Sequence, residues 1–174
     1  MTKHISVVAA CLLLVSPAWA DHTLSPAEQH VLKTWLALHP QYRQATDEDC
    51  DCAADIQKMK AGAGGLWKPV PDYHPYTVTG DFNGDGVEDF AVVLVDSQKK
   101  EKNFALIVFN GPFKPGAVSP AFMESGMDLK YAGLFYGPPR PKPYRLLLGP
   151  FESDSGSLLI PRGHGYRWDD GEAE

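Results

Sequence analysis

Little in this chain commits it to a particular chemistry. It holds no G-x-S-x-G, no H-E-x-x-H and no glycine loop leading into Lys-Ser/Thr, so the common hydrolase, zinc-protease and nucleotide signatures are missing. Basic residues are scarce: 16 Lys and Arg against 22 Asp and Glu give a formal net charge of −6, which argues against nucleic acid or an anionic lipid surface as partner. Three cysteines, Cys11, Cys50 and Cys52, leave no second Cys/His pair to complete a four-ligand zinc site. Past the first 20 residues no apolar run reaches the ~20 residues of a membrane helix, and no internal repeat is present.

What is present begins with a leader. Lys3 and His4 precede an apolar stretch over residues 5–15, and Ala18-Trp19-Ala20 has the small-x-small form of a cleavage site. Residues 1–20 are therefore expected to be a signal peptide and residues 21–174 a single domain, periplasmic or secreted. A lipid-attachment reading at Cys11 leaves only about three apolar residues before the cysteine, short for an h-region. Loss of Lys3 makes the exported chain one unit more acidic. In an oxidising compartment Cys50 and Cys52 are candidates for a C-x-C disulfide acting as a small structural staple; an intermolecular bridge and two free thiols are the alternatives. In a regular helix the two side chains would point about 200° apart, so a bridge requires a non-helical stretch there.

Ser25, Pro26 and Glu28 mark a helix start, and Val31, Leu32, Trp35, Leu36 and Leu38 give it one apolar face over residues 25–39. A second helix is expected near 47–60, ended by Gly62. From residue 76 the pattern turns to strands, at 76–79, 90–96, 104–110, 129–136, 144–148, 157–160 and 166–168, with short connections that suit an antiparallel meander. The P-x-x-P at 137–143 reads as a stiff connector and 169–174 as a frayed acidic tail. The expected fold is α+β: two N-terminal helices packed on one antiparallel β-sheet, with an acidic loop between two of its strands.

That loop is the most specific feature. Residues 81–89 read Asp-Phe-Asn-Gly-Asp-Gly-Val-Glu-Asp, with oxygen side chains at positions 1, 3, 5 and 9 and glycine at position 6. Three carboxylates this close repel one another, and the alternation suits a hard cation that takes six to eight oxygens at about 2.3–2.6 Å. Asp81, Asn83, Asp85 and Asp89 are the expected side-chain ligands of Ca2+, with the carbonyl of Val87 at position 7. Position 12 is Val92, inside a strand, so an EF-hand is excluded. Asp, Asn and Gly also favour tight turns that bind nothing, but a plain hairpin does not need carboxylates at three ligand positions within nine residues, with Glu88 expected to point away as a fourth.

Residues 79–92 resemble the FG-GAP, integrin-type calcium motif, in which D-x-[DN]-x-D-G-x-x-D joins adjacent strands. The resemblance covers about 20 residues and implies the same ligand set, Asp81, Asn83, Asp85, Val87 and Asp89. Such motifs recur from blade to blade in a propeller, whereas this chain has one copy and is too short to close one. It is more similar to small exported bacterial proteins with a single such loop, so adhesion does not carry over. The expected function is a calcium-stabilised, non-catalytic envelope protein that binds an unknown protein or glycan partner. The many aromatic residues near loops and strand ends read first as sheet core and strand-end packing, with an aromatic patch for a glycan or protein partner as the alternative. A small envelope hydrolase and a periplasmic inhibitor or immunity protein are the alternatives. Of the histidines, His74 and His164 are the two placed to face a pocket.

Overall fold

Two consecutive segments, Asp89–Asp96 and Phe104–Phe109, are buried at every residue, which a sheet covered on one face alone cannot produce. The computed structural model describes residues 23–62, 69–113, 119–136, 146–151, 153 and 155–169, and shows what covers each face. Among those residues the elements are α1 (Pro26–Leu38), β1 (Tyr42–Gln44), a 3-10 turn (Asp47–Asp49), α2 (Ala53–Ala61), β2 (Thr77–Gly80), β3 (Asp89–Asp96), β4 (Phe104–Phe109), β5 (Phe122–Met127), β6 (Ala132–Tyr136), β7 (Leu146–Pro150), β8 (Ser157–Arg162) and β9 (Gly165–Trp168).

The strands form two antiparallel sheets. In the first the order is β1-β3-β4-β5, with β2 also paired to β3; in the second it is β6-β7-β8-β9. On the outer face of the first sheet, Phe90, Val92 and Leu94 with Ala105, Ile107 and Phe109 pack against Val31, Leu32 and Trp35 of α1. Phe90 pairs with Phe109 across the ladder and their rings stack at 4.9 Å. The inner face carries Ala91, Val93, Leu106 and Val108 into a core completed by Leu134, Leu146, Leu148 and Leu159 of the second sheet. The sheets also meet along their sides. Leu134 N–H donates to the Pro75 carbonyl beside β2 at 2.7 Å, and Trp168 Nε1–H of β9 donates to Glu124 of β5.

This corrects the expected architecture, which had both helices on a single meander. The fold is mostly β, and only α1 covers the first sheet; α2 sends Ile56 and Met59 into the core between the sheets. The physical reason is area. The inner faces of β3 and β4 are as apolar as the outer ones, and one helix cannot cover both, so the later strands peel away to form a second layer. The break comes after β5, an expected loop that instead pairs with β4 from Val108↔Phe122 to Phe104↔Met127 with an irregularity at Phe104/Ala105.

Local signals act as their chemistry requires. Ser25 N–H donates to Glu28 Oε2 at 2.7 Å, and Ser25 Oγ accepts from Glu28 N–H at 3.4 Å, closing a capping box with Pro26 in the first turn. The second expected helix divides into the 3-10 turn and α2. In the break Cys50 and Cys52 are disulfide-bonded, with their Cα atoms 5.1 Å apart and Asp51 between them at φ 54°. The P-x-x-P at 137–143 and the tail from residue 170 lie outside the described residues.

Candidate metal loop

The acidic loop joins β2 to β3 across one end of the first sheet. It is anchored from below: Phe82 is fully buried, with its ring edge-on to Tyr136 at 5.1 Å, and Tyr136 Oη–H donates to the Asp81 carbonyl at 2.9 Å. Above this anchor the chain wraps around the Asp81 carboxylate, which accepts N–H groups from Gly84 (2.7 Å), Asp85 (3.0 Å) and Gly86 (2.9 Å). Asn83 Oδ1 accepts from Asp85 N–H at 2.8 Å, Asn83 Nδ2–H donates to Asp85 Oδ2 at 3.0 Å, and Asp85 Oδ1 accepts from Val87 N–H at 2.8 Å. The wrap needs a left-handed residue, and Gly86 supplies it at φ 86°.

Asp89 is placed differently. It is 0 % exposed, and its Oδ2 accepts from Phe82 N–H (3.0 Å) and Tyr166 Oη–H (3.2 Å) while Oδ1 accepts from Gly111 N–H (3.0 Å). Gly111 comes this near because it has no Cβ; one built there would strike the Glu88 carbonyl. Burial pushes the Asp89 carboxyl up to about 6, against the pull of its donors from Gly111, Phe82 and Tyr166. Burial, followed by the charge of Asp89, likewise raises the Tyr166 hydroxyl. Tyr166 Oη also lies 2.7 Å from Asn110 Oδ1, so a single phenol proton is shared between two acceptors.

The five expected ligands thus share one loop but not one environment. Asp81, Asn83 and Asp85 form a single hydrogen-bonded knot at the surface; Asp89 faces the core and ties the loop to β4 and β9. Among the described residues no three His, Cys, Asp or Glu side chains converge at metal-holding distance. The donor set is nonetheless all oxygen, as a hard cation requires. No described Lys, Arg or His forms an ion pair with Asp81 or Asp85. A carboxylate offers about four lone-pair sites, so Asp89 Oδ1 keeps one beyond its bond to Gly111. Sequence reasoning missed Tyr136, Tyr166, Asn110 and Gly111. No local signal marks them, because the fold alone brings them to the loop.

A second concave feature lies on the far side of β2. A groove of about 870 Å³ runs between α1 and the segment from β1 through the 3-10 turn, and His74, Tyr76 and Thr77 are also among its lining residues. His74 Nδ1 is 2.9 Å from Asp47 Oδ1. His39 stacks on Trp35. Of the aromatics near loops and strand ends, Tyr73, Tyr76, Phe82 and Tyr166 are buried and Phe135, Tyr136 and Trp168 pack partly buried against the core, in keeping with the core-packing reading; Tyr131 is 59 % exposed. No described helix is long and apolar enough to cross a membrane.

The fold and the loop define a two-sheet β protein with an acidic, oxygen-lined turn between two strands of its first sheet. Comparison with protein-family models, with curated proteins and with solved structures found no match.

Proposed function

We propose that this chain is a calcium-stabilised, non-catalytic module of the bacterial envelope that is exported by its leader and binds a partner molecule. The reading is carried by the folding of the loop around Asp81, which places Asp81, Asn83 and Asp85 in one knot that no described cation neutralises. In this reading Asp81, Asn83 and Asp85 hold calcium by their side chains, Val87 by its carbonyl and Asp89 from the buried side. The ion offsets the mutual repulsion of the carboxylates. The protein's own contribution is the anchor: Phe82 and Tyr136 fix the near end of the loop, while Asp89, Gly111 and Tyr166 fix the far end.

The groove, with the His74–Asp47 pair in its lining, is in this reading a binding surface. Calorimetric titration of the metal-stripped protein tests the calcium half. Uptake of one ion with a matching rise in melting temperature supports it, and no uptake at millimolar calcium overturns it.

A further inference from the structure

The groove beside α1 has two unlike walls. Gln29, Leu32, Lys33 and Leu36 fall at helical spacing along one face of α1 and form the first wall. The second is built by Gln44 and by Asp47 and Glu48 of the 3-10 turn. Lys33 makes no ion pair among the described residues, whereas across the groove Asp47 is bracketed by His74 (2.9 Å) and Lys60 (3.7 Å), and Glu48 has no described cation. The accessible apolar lining comes from Leu24 and Leu36, whereas Leu32 and Ala45 are buried beneath it. The amides are half engaged: Gln29 Nε2–H donates to the Leu24 carbonyl at 2.7 Å and Gln44 Nε2–H to Thr77 Oγ1 at 3.2 Å, which leaves both amide oxygens facing ligand or water.

A positive and amide-bearing wall, a negative wall and an apolar floor select an occupant that is dipolar and aliphatic in the middle. We propose that this groove binds a short peptide whose aliphatic side chains lie on Leu24 and Leu36, with an acidic group toward Lys33 and a basic group toward Glu48. An extended peptide also supplies main-chain N–H groups for the two glutamine oxygens. The volume suits about four residues, since ligand clefts of about 300–1,000 Å³ enclose molecules of that size. This deepens the binding-module reading above and rests on it, but it does not require the ion.

The test uses the full exported chain and the blocked tetrapeptide acetyl-Lys-Leu-Leu-Glu-amide, followed by backbone amide shifts. Saturable shifts are expected at Lys33, Gln44 and Glu48, with a Kd of about 0.1–1 mM. Lys33→Glu and Glu48→Lys should each weaken binding about fivefold, as a partly exposed ion pair turned to repulsion does, with melting temperatures unchanged. Acetyl-Lys-Gly-Gly-Glu-amide should bind at least about tenfold more weakly, because it leaves the apolar floor uncovered. Absence of saturable shifts at these residues, equal binding of the glycine peptide, or indifference to both charge reversals overturns the proposal. Titrations in calcium and in chelator keep the two readings apart: peptide binding by a chain that takes up no calcium sinks the ion and leaves the groove standing, and the reverse result sinks the groove alone.

Discussion

The molecule carries two acidic turns of similar composition, and they are built in opposite ways. In the turn at residues 47–51 each aspartate has a basic side chain beside it: Asp49 is held by both guanidinium nitrogens of Arg43 at 2.6 and 2.8 Å, Asp47 lies 3.7 Å from Lys60 Nζ and 2.9 Å from His74 Nδ1, and Asp51 lies 3.1 Å from Lys130, while Glu48 has no described cation. A disulfide pins that turn, and Tyr131 N–H donates to the Cys50 carbonyl at 2.8 Å. In the loop at 81–89 the carboxylates are satisfied by backbone N–H groups and by Tyr166, with no described cation. The aspartates thus have basic side chains beside them in one place and none described in the other. Aspartates paired within the protein have little use for an outside ion, whereas a loop that only folds its carboxylates together is ready for one.

The sharpest way to break this contrast is at its buried end. Asp89→Ala leaves Phe82 N–H, Gly111 N–H and the Tyr166 hydroxyl without their acceptor inside the protein. It should cost about 3 kcal/mol or more in denaturant unfolding; a loss under about 1 kcal/mol would mean that Asp89 is not the tie between loop and core. Next comes calcium itself. At a concentration 100 times its Kd the ion should add about 2.7 kcal/mol of stability. Asp85→Ala should abolish that increment, and Arg43→Ala should leave it intact. An increment that survives Asp85→Ala would show that the ion binds elsewhere.

On the other turn, replacing Cys50 and Cys52 together by serine should cost about 2 kcal/mol, small for a disulfide because the closed loop is so short. The melting temperature of the double variant, read in both oxidising and reducing buffer, checks this. The smallest effect should be the pH response of the Arg43–Asp49 pair. Its hydrogen bond with Arg43 holds the Asp49 carboxyl at about 2, below its ordinary 3.8. The folded value lies below the unfolded one, so the contribution is complete above 3.8 and is lost as pH falls through about 2. Arg43 is half exposed, so solvent screening keeps this below about 1 kcal/mol. A comparison of Arg43→Ala with the parent across pH 2–5 should show the gap closing toward acid.

How much of this could be read in the sequence follows from how local each signal is. Ser25, Pro26 and Glu28 announce α1 because a capping box is written within four residues. The runs at β3 and β4 announce buried strands for the same reason. A run such as Phe-Ala-Val-Val-Leu-Val says that both faces are covered but not by what, and there the single-sheet expectation failed. β5 was missed because Met123-Glu124-Ser125-Gly126 has weak strand propensity and holds its place through pairing with β4. At the loop, the spacing of Asp81, Asn83 and Asp85 was legible. The role of Asp89 was not, because Tyr166 lies 77 residues away and Gly111 22 residues away.

The way the sheets meet has a consequence for life in a crowded compartment. The outermost strand of one sheet lies against that of the other, β2 beside β6 and β5 beside β9, and the remaining border, β1, is three residues long. Among the described residues these borders therefore sit against the other sheet, which hinders a foreign chain from extending them as an extra strand, the usual first step toward self-association of β proteins. Despite two nearly unbroken aliphatic runs, the folded chain should stay monodisperse at high concentration, and its hazard of clumping is confined to the interval before the second layer closes.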